Sequence, residues 1–110
     1  MRLDIKQKIR ENCRKDKTTE ACGFIVIRSD QKVGVVECPN IHQDPKNFFK
    51  VSPAKYLDIK LNNKIIASYH SHIESDAQPS SYDNDMFEEM CLPYYIYSLK
   101  KDEFFLGFPN

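Results

Sequence analysis

An apolar run, Ile65-Ile66-Ala67-Ser68-Tyr69, passes directly into His70-Ser71-His72, and after seven intervening residues the chain reads Ser80-Ser81-Tyr82-Asp83. No other stretch constrains the fold as much. Side chains alternate along a strand, so His70 and His72 project to the same side at its end. Ser80 to Asp83 has the signature of a helix start, a serine N-cap with an acid three residues on. A strand, a loop and a helix start can thus bring two imidazoles and a carboxylate together. That N,N,O set is typical of a catalytic zinc, which keeps a fourth position open for water. Of three histidines two lie here; His42 stands alone in a loop and reads as surface. Ser71 falls on the opposite side of the strand and reads as structural. Glu74, Asp76 and Asp85 are nearby in sequence but are not read as ligands.

The rest of the chain supplies a scaffold. Ile5, Ile9 and Cys13 recur at four-residue steps among charges, which predicts an amphipathic helix over roughly residues 3–15. Cys22 to Arg28 reads as a strand with a turn at Ser29-Asp30, and Val33 to Glu37 as its hairpin partner. A polar loop then leads to a short strand over Asn47 to Val51. Ser52-Pro53 predicts a second helix, with serine as N-cap and proline first. Tyr56, Leu57 and Leu61 give it a buried face before Asn62-Asn63 ends it. Met86, Phe87, Met90 and Cys91 form the stripe of a third helix, packed as core. Tyr94 to Leu99 and Phe104 to Phe108 read as two final strands. Helices flanking one mixed sheet make an α+β fold, an α-β-α sandwich with about three helices. At 110 residues, 41% apolar, the chain fits one domain over residues 1–110.

Charge and cysteine usage narrow the classes further. The net charge is zero, but residues 70–99 hold Glu74, Asp76, Asp83, Asp85, Glu88 and Glu89 and no Lys or Arg. An acidic surround attracts cations and repels phosphate backbones, so nucleic acid is not expected as a partner. No apolar run approaches membrane-spanning length, and the N-terminus lacks the apolar stretch of a signal peptide. No membrane partner is expected, and a soluble protein without an export signal follows. Cys13, Cys22, Cys38 and Cys91 show no Cys-x-x-Cys spacing and read as reduced thiols, Cys22 and Cys91 as small core residues.

With Glu20-Ala21-Cys22-Gly23 upstream, the pattern His-x-His, seven residues, Ser-x-x-Asp resembles the JAMM (MPN-plus) zinc metalloprotease family, most closely the JAMM domain of phage tail-assembly proteins. Asn40, Asp44-Pro45, Phe48, Val51-Ser52-Pro53, Ala77-Gln78-Pro79, Cys91-Leu92-Pro93, Ile96 and Ser98 extend the similarity from about Glu20 to the C-terminus. Ile73 departs from it, standing where the family usually has proline; this loosens the loop but removes no ligand. The resemblance implies an MPN/cytidine-deaminase-like sandwich with one Zn2+ per chain on His70, His72 and Asp83. It implies Glu20 as general base and Ser80 as donor to an oxyanion, although spacing alone reads them as an acid before a strand and a helix cap. The implied activity is a zinc-dependent peptidase or isopeptidase using metal-activated water. Its implied setting is phage tail assembly or cell-wall processing, in the host cytoplasm or the virion. The implied substrate is a protein or peptide, either a ubiquitin-like tail protein or a cell-wall peptide. The alternative is a non-catalytic MPN-type scaffold or partner-binding module.

Two other enzyme classes lack their parts. His72-Ile73-Glu74 mimics the His-x-Glu of zinc nucleobase deaminases, but the accompanying Pro-Cys-x-x-Cys is missing. No Gly-x-Ser-x-Gly elbow supports a serine hydrolase.

Overall fold

The chain alternates between strands and helices in the order α1 (Leu3–Lys15), β1 (Cys22–Ile27), β2 (Val33–Cys38), α2 (Pro53–Asn62), β3 (Lys64–His72), α3 (Ser81–Met90), β4 (Tyr94–Ser98) and β5 (Glu103–Gly107). The structure is a computed structural model that describes residues 3–109. Its strands form one five-stranded sheet in the order β2-β1-β3-β4-β5. Only β3 and β4 run parallel, which requires the crossover that α3 provides. This is the α+β sandwich expected, a single mixed sheet with three helices.

Alternation along the strands sorts their side chains between two helix layers. Ala67, Tyr69, Ile25 and Tyr97 pack with Ile5, Ile9 and Cys13 of α1. On the other side Phe24, Val26 and Ile96 pack with Ile59 of α2 and Phe87 of α3. A bulge sets the phase of β3. Ile25 pairs with Ala67 but Val26 with Ile65, so β3 carries one extra residue there. Ile65 therefore belongs to the α2/α3 layer while Ile66 and Ala67 belong to the α1 layer. Beyond the bulge Ser68, His70 and His72 face α2 and α3. A single-residue change of register would reverse that assignment.

Several expectations are corrected. Residues 47–51 form no strand; Asn47 and Phe48 close a turn on the Asp44 carbonyl, the Lys50 carbonyl accepts from Ile41 N–H, and the Asn40 side chain bonds Phe48 and Lys50. In α2 the buried residue is Ile59, with Tyr56 half-buried against Phe24, whereas Leu57 and Leu61 are 55% and 75% exposed. A ten-residue helix with four large apolar residues permits more than one phase, and contact with the sheet selects Ile59. In α3 the expected stripe holds for Phe87, which is buried beside Asp83, and for Met86 and Met90, which pack half-buried against the same core. Cys91 is exposed at the C-cap with a φ of 55°, ending the helix instead of packing under it. All four cysteines are free. No helix among the described residues is long and apolar enough to cross a membrane.

Candidate metal centre

The two histidines reach the centre because β3 is the middle strand, held on both sides. His70 pairs with Cys22 of β1 and Ile96 of β4, and His72 pairs with Ser98. Asp83 arrives from the first turn of α3. Ser80 is the N-cap, and a reciprocal capping box forms: Asp83 N–H donates to Ser80 Oγ (3.1 Å) and Ser80 N–H to Asp83 Oδ2 (3.0 Å). The same carboxylate faces both rings, with Oδ1 3.2 Å from His70 Nε2 and Oδ2 2.9 Å from His72 Nε2. All three side chains are buried, and their donor atoms lie within 4.8 Å of one another.

The chemistry of this donor set fits a cation. His72 Nδ1 is 2.7 Å from the Asp76 carbonyl oxygen. A carbonyl only accepts, so Nδ1 carries the hydrogen and the neutral ring presents a lone pair at Nε2. That lone pair points at a carboxylate oxygen and lies 3.3 Å from the Nε2 of His70. Three electron-rich atoms converge, an arrangement that needs a proton or a metal ion among them. Burial alone would lower the His72 pKa, but the hydrogen bonds to Asp83 and the Asp76 carbonyl outweigh it and the net shift is upward. Complete burial pushes His70 down. Asp83 is disfavoured by burial yet held well below the usual carboxylate range by the two imidazoles. Phe49 stacks on His70 at 4.3 Å and 19°, walling one face of the ring.

Glu20 lies just before β1 and is 5% exposed. Its Oε1 has no hydrogen-bond partner. Burial raises its pKa to about 8, with His72 pulling it down and Asp83 and Asp44 pushing it up. Its position depends on groups from elsewhere. Ser71, between the two histidines, accepts from Ala21 N–H (2.8 Å) and donates its own N–H to the Ala21 carbonyl (3.0 Å). Ser71 is thus structural as expected, and its contribution is specific, because it ties the residue after Glu20 to the strand that carries both histidines.

The other expected residues fall as follows. Ser80 is exposed at the mouth of α3; its oxygen accepts from Asp83 N–H, which leaves the O–H free to donate. His42 is apart from the cluster, with Nδ1 accepting from Asp44 N–H and its ring against Phe48 and Tyr82. Glu74 pairs with Lys46 at 3.5 Å, so the acidic run is partly offset by a loop lysine. Sequence reasoning missed the Asp76 carbonyl and Phe49, and met Asn40 only as part of the resemblance, without a role. None of the three carries a spacing signal; only the fold brings them to the site.

The profile of prokaryotic homologs of the JAB domain (Prok-JAB) matches residues 3–106. Tail tip assembly protein K of Escherichia phage N15 is 29% identical over 79 residues, covering 72% of this chain and 32% of that protein. Desampylase of Haloferax volcanii is 28% identical over 95 residues, covering 80% of this chain and 66% of that protein. The chain spans about a third of the first relative's length and just under two thirds of the second's. A solution structure of a protein from Desulfitobacterium hafniense is similar with a TM-score of 0.73 and 25% identity, covering 94% of this chain and 77% of that one. A protein from Salinibacter ruber shares the fold with a TM-score of 0.56 at 15% identity, covering 98% and 88%.

Proposed function

The chain belongs to the prokaryotic JAB-domain family, and from that premise we propose that it is a zinc-dependent peptidase or isopeptidase acting on a protein or peptide substrate. One observation carries the reading. The His72 Nε2 lone pair, fixed by the Asp76 carbonyl, converges with His70 Nε2 and the Asp83 carboxylate in a buried cluster. Two imidazoles and one carboxylate are a donor set suited to zinc, and His70, His72 and Asp83 would hold one ion per chain. When bound, zinc supplies Lewis acidity and lowers the pKa of water towards ~7.

The remaining residues do the proton chemistry and positioning. Glu20 accepts the proton of the attacking water as the new C–O bond forms, then delivers it to the amine as the C–N bond breaks. Its burial excludes bulk water from that exchange. The free O–H of Ser80 donates to the carbonyl oxygen as negative charge develops on it. Desampylase and tail tip assembly protein K as relatives support hydrolysis of a protein-linked bond in a tail-assembly setting. A ubiquitin-like tail protein and a cell-wall peptide are the two substrate classes to assay.

The test measures metal and turnover together. Zinc-reconstituted protein should hold about one equivalent and cleave an isopeptide-linked ubiquitin-like substrate or a cell-wall peptide. His70→Ala should lose both properties. Zinc far below one equivalent in folded wild type would leave the scaffold reading in its place.

A further inference from the structure

Resting on that proposed function, we infer that Asn40 is a positioning residue that couples Glu20 to the ligand His70. Glu20 precedes the first rung of β1, and the sheet holds it only through the Ala21–Ser71 contacts on its C-terminal side. Its N–H donates to the Pro45 carbonyl (2.7 Å), and its C=O accepts from Asn40 Nδ2 (3.0 Å). Both partners belong to the loop between β2 and α2. Asn40 also shapes that loop. Its Nδ2 donates to the carbonyls of Pro45 (3.3 Å) and Phe48 (2.9 Å), and its Oδ1 accepts from the amides of His42 (3.1 Å) and Lys50 (3.0 Å). Three acceptors face the amide nitrogen and two donors face the oxygen, so only one orientation of the side chain satisfies the set.

The contacts to Phe48 and Lys50 bracket Phe49, the residue stacked on His70. The Phe49 carbonyl in turn accepts from Tyr82 O–H at 2.8 Å, beside Asp83. One half-buried amide therefore fixes the backbone of the base and the aromatic wall of a metal ligand at once. The loop has no strand or helix of its own to do so. Misplacing a catalytic group by about 1 Å can cost on the order of a hundredfold in rate, which sets the scale of the effect.

The experiment compares Asn40→Ala and Asn40→Asp with wild type, alone and in a Glu20→Gln background. Asn40→Asp keeps an acceptor for the His42 and Lys50 amides but loses the donor to the three carbonyls. The first readout is amide hydrogen exchange in the zinc-free protein. Exchange at Glu20 should speed up about tenfold or more, while Phe24 and Val26 in β1 stay protected. The second is zinc stoichiometry by dialysis against zinc chloride, which should not change. The third is turnover: kcat should fall about a hundredfold with KM shifted far less, and the same substitution should cost almost nothing further when Glu20 is already Gln. Unchanged exchange at Glu20 overturns the inference. So does a full rate cost in the Glu20→Gln background, or loss of β1 protection in both variants, which would assign Asn40 to folding alone. If wild type proves inactive the proposed function fails by itself, and the exchange readout still decides the role of Asn40.

Discussion

The two faces of the sheet are built on different terms. On the α1 face the buried polar groups are paired. Tyr69 O–H meets Asn12, Ser71 Oγ accepts from Ala21, and Tyr97 O–H donates to Asp102 (2.5 Å) while accepting from Arg14 (2.9 Å). Gly23 lets the Tyr69 ring lie against the backbone: a Cβ there would sit 2.6 Å from its Cε2 and 2.1 Å from the Val36 oxygen. On the α2/α3 side sit two unpartnered buried atoms, Ser68 Oγ and His70 Nδ1, and Glu20 Oε1, just before β1, is a third. Buried polar groups without partners cost free energy and concentrate where function demands them. Both faces carry a hydrophobic core, but only the α2/α3 face also holds a buried cluster that could take up a metal ion.

Substitutions on the two faces should therefore separate activity from stability. The largest effect belongs to Glu20→Gln, expected to cut turnover by about 10²–10⁴-fold while zinc content stays at wild type and the thermal midpoint holds or rises. Near-normal turnover would remove Glu20 from the chemistry. Next, Ile9→Ala on the opposite face should cost about 2–5 kcal/mol of unfolding free energy in a denaturant titration, with turnover per folded molecule unchanged. A parallel loss of specific activity would mean that the faces are coupled.

Two smaller effects sharpen the contrast. Zinc at a hundredfold excess over its Kd should stabilise wild type by about 2.7 kcal/mol, and a chelator should reverse the gain. His70→Ala should give no shift in the same melting experiment; an equal shift there would place the ion elsewhere. Smallest of all, Tyr97→Phe removes one hydroxyl from the α1 face and should cost about 0.5–1.5 kcal/mol with no change in kcat. A change in kcat would show that the supporting face reaches the chemistry.

What the sequence revealed divides along similar lines. The His70–His72–Asp83 cluster was readable because each part is local: period two for the histidines, and a serine and an acid three apart for the capping box. The amphipathic α1 followed from four-residue spacing. Glu20 could be proposed only through resemblance, since fifty positions separate it from His70 and no periodicity links them. The loop over residues 39–51 was misread as containing a strand because its order comes from scattered turn and side-chain hydrogen bonds, those of Asn40 prominent among them, which leave no pattern in the letters. The bulge in β3 was equally invisible, although it decides which layer the histidines face. Leu57 and Leu61 show the converse: apolar letters supplied a plausible helix stripe, and tertiary contact chose another.

The orientation of the His72 ring depends on a main-chain oxygen of Asp76, four positions downstream. Every amino acid has that oxygen, so nothing selects a particular side chain at position 76 on this account. What must be kept is the count of residues from His72 to the carbonyl. Loop length is thus constrained separately from the loop's letters, whose own contribution includes the Asp76 side chain accepting from the Gln78 amide. A library pairing each single replacement with each single deletion over residues 73–79 would read this as metal retention: replacements at 76 tolerated, deletions not.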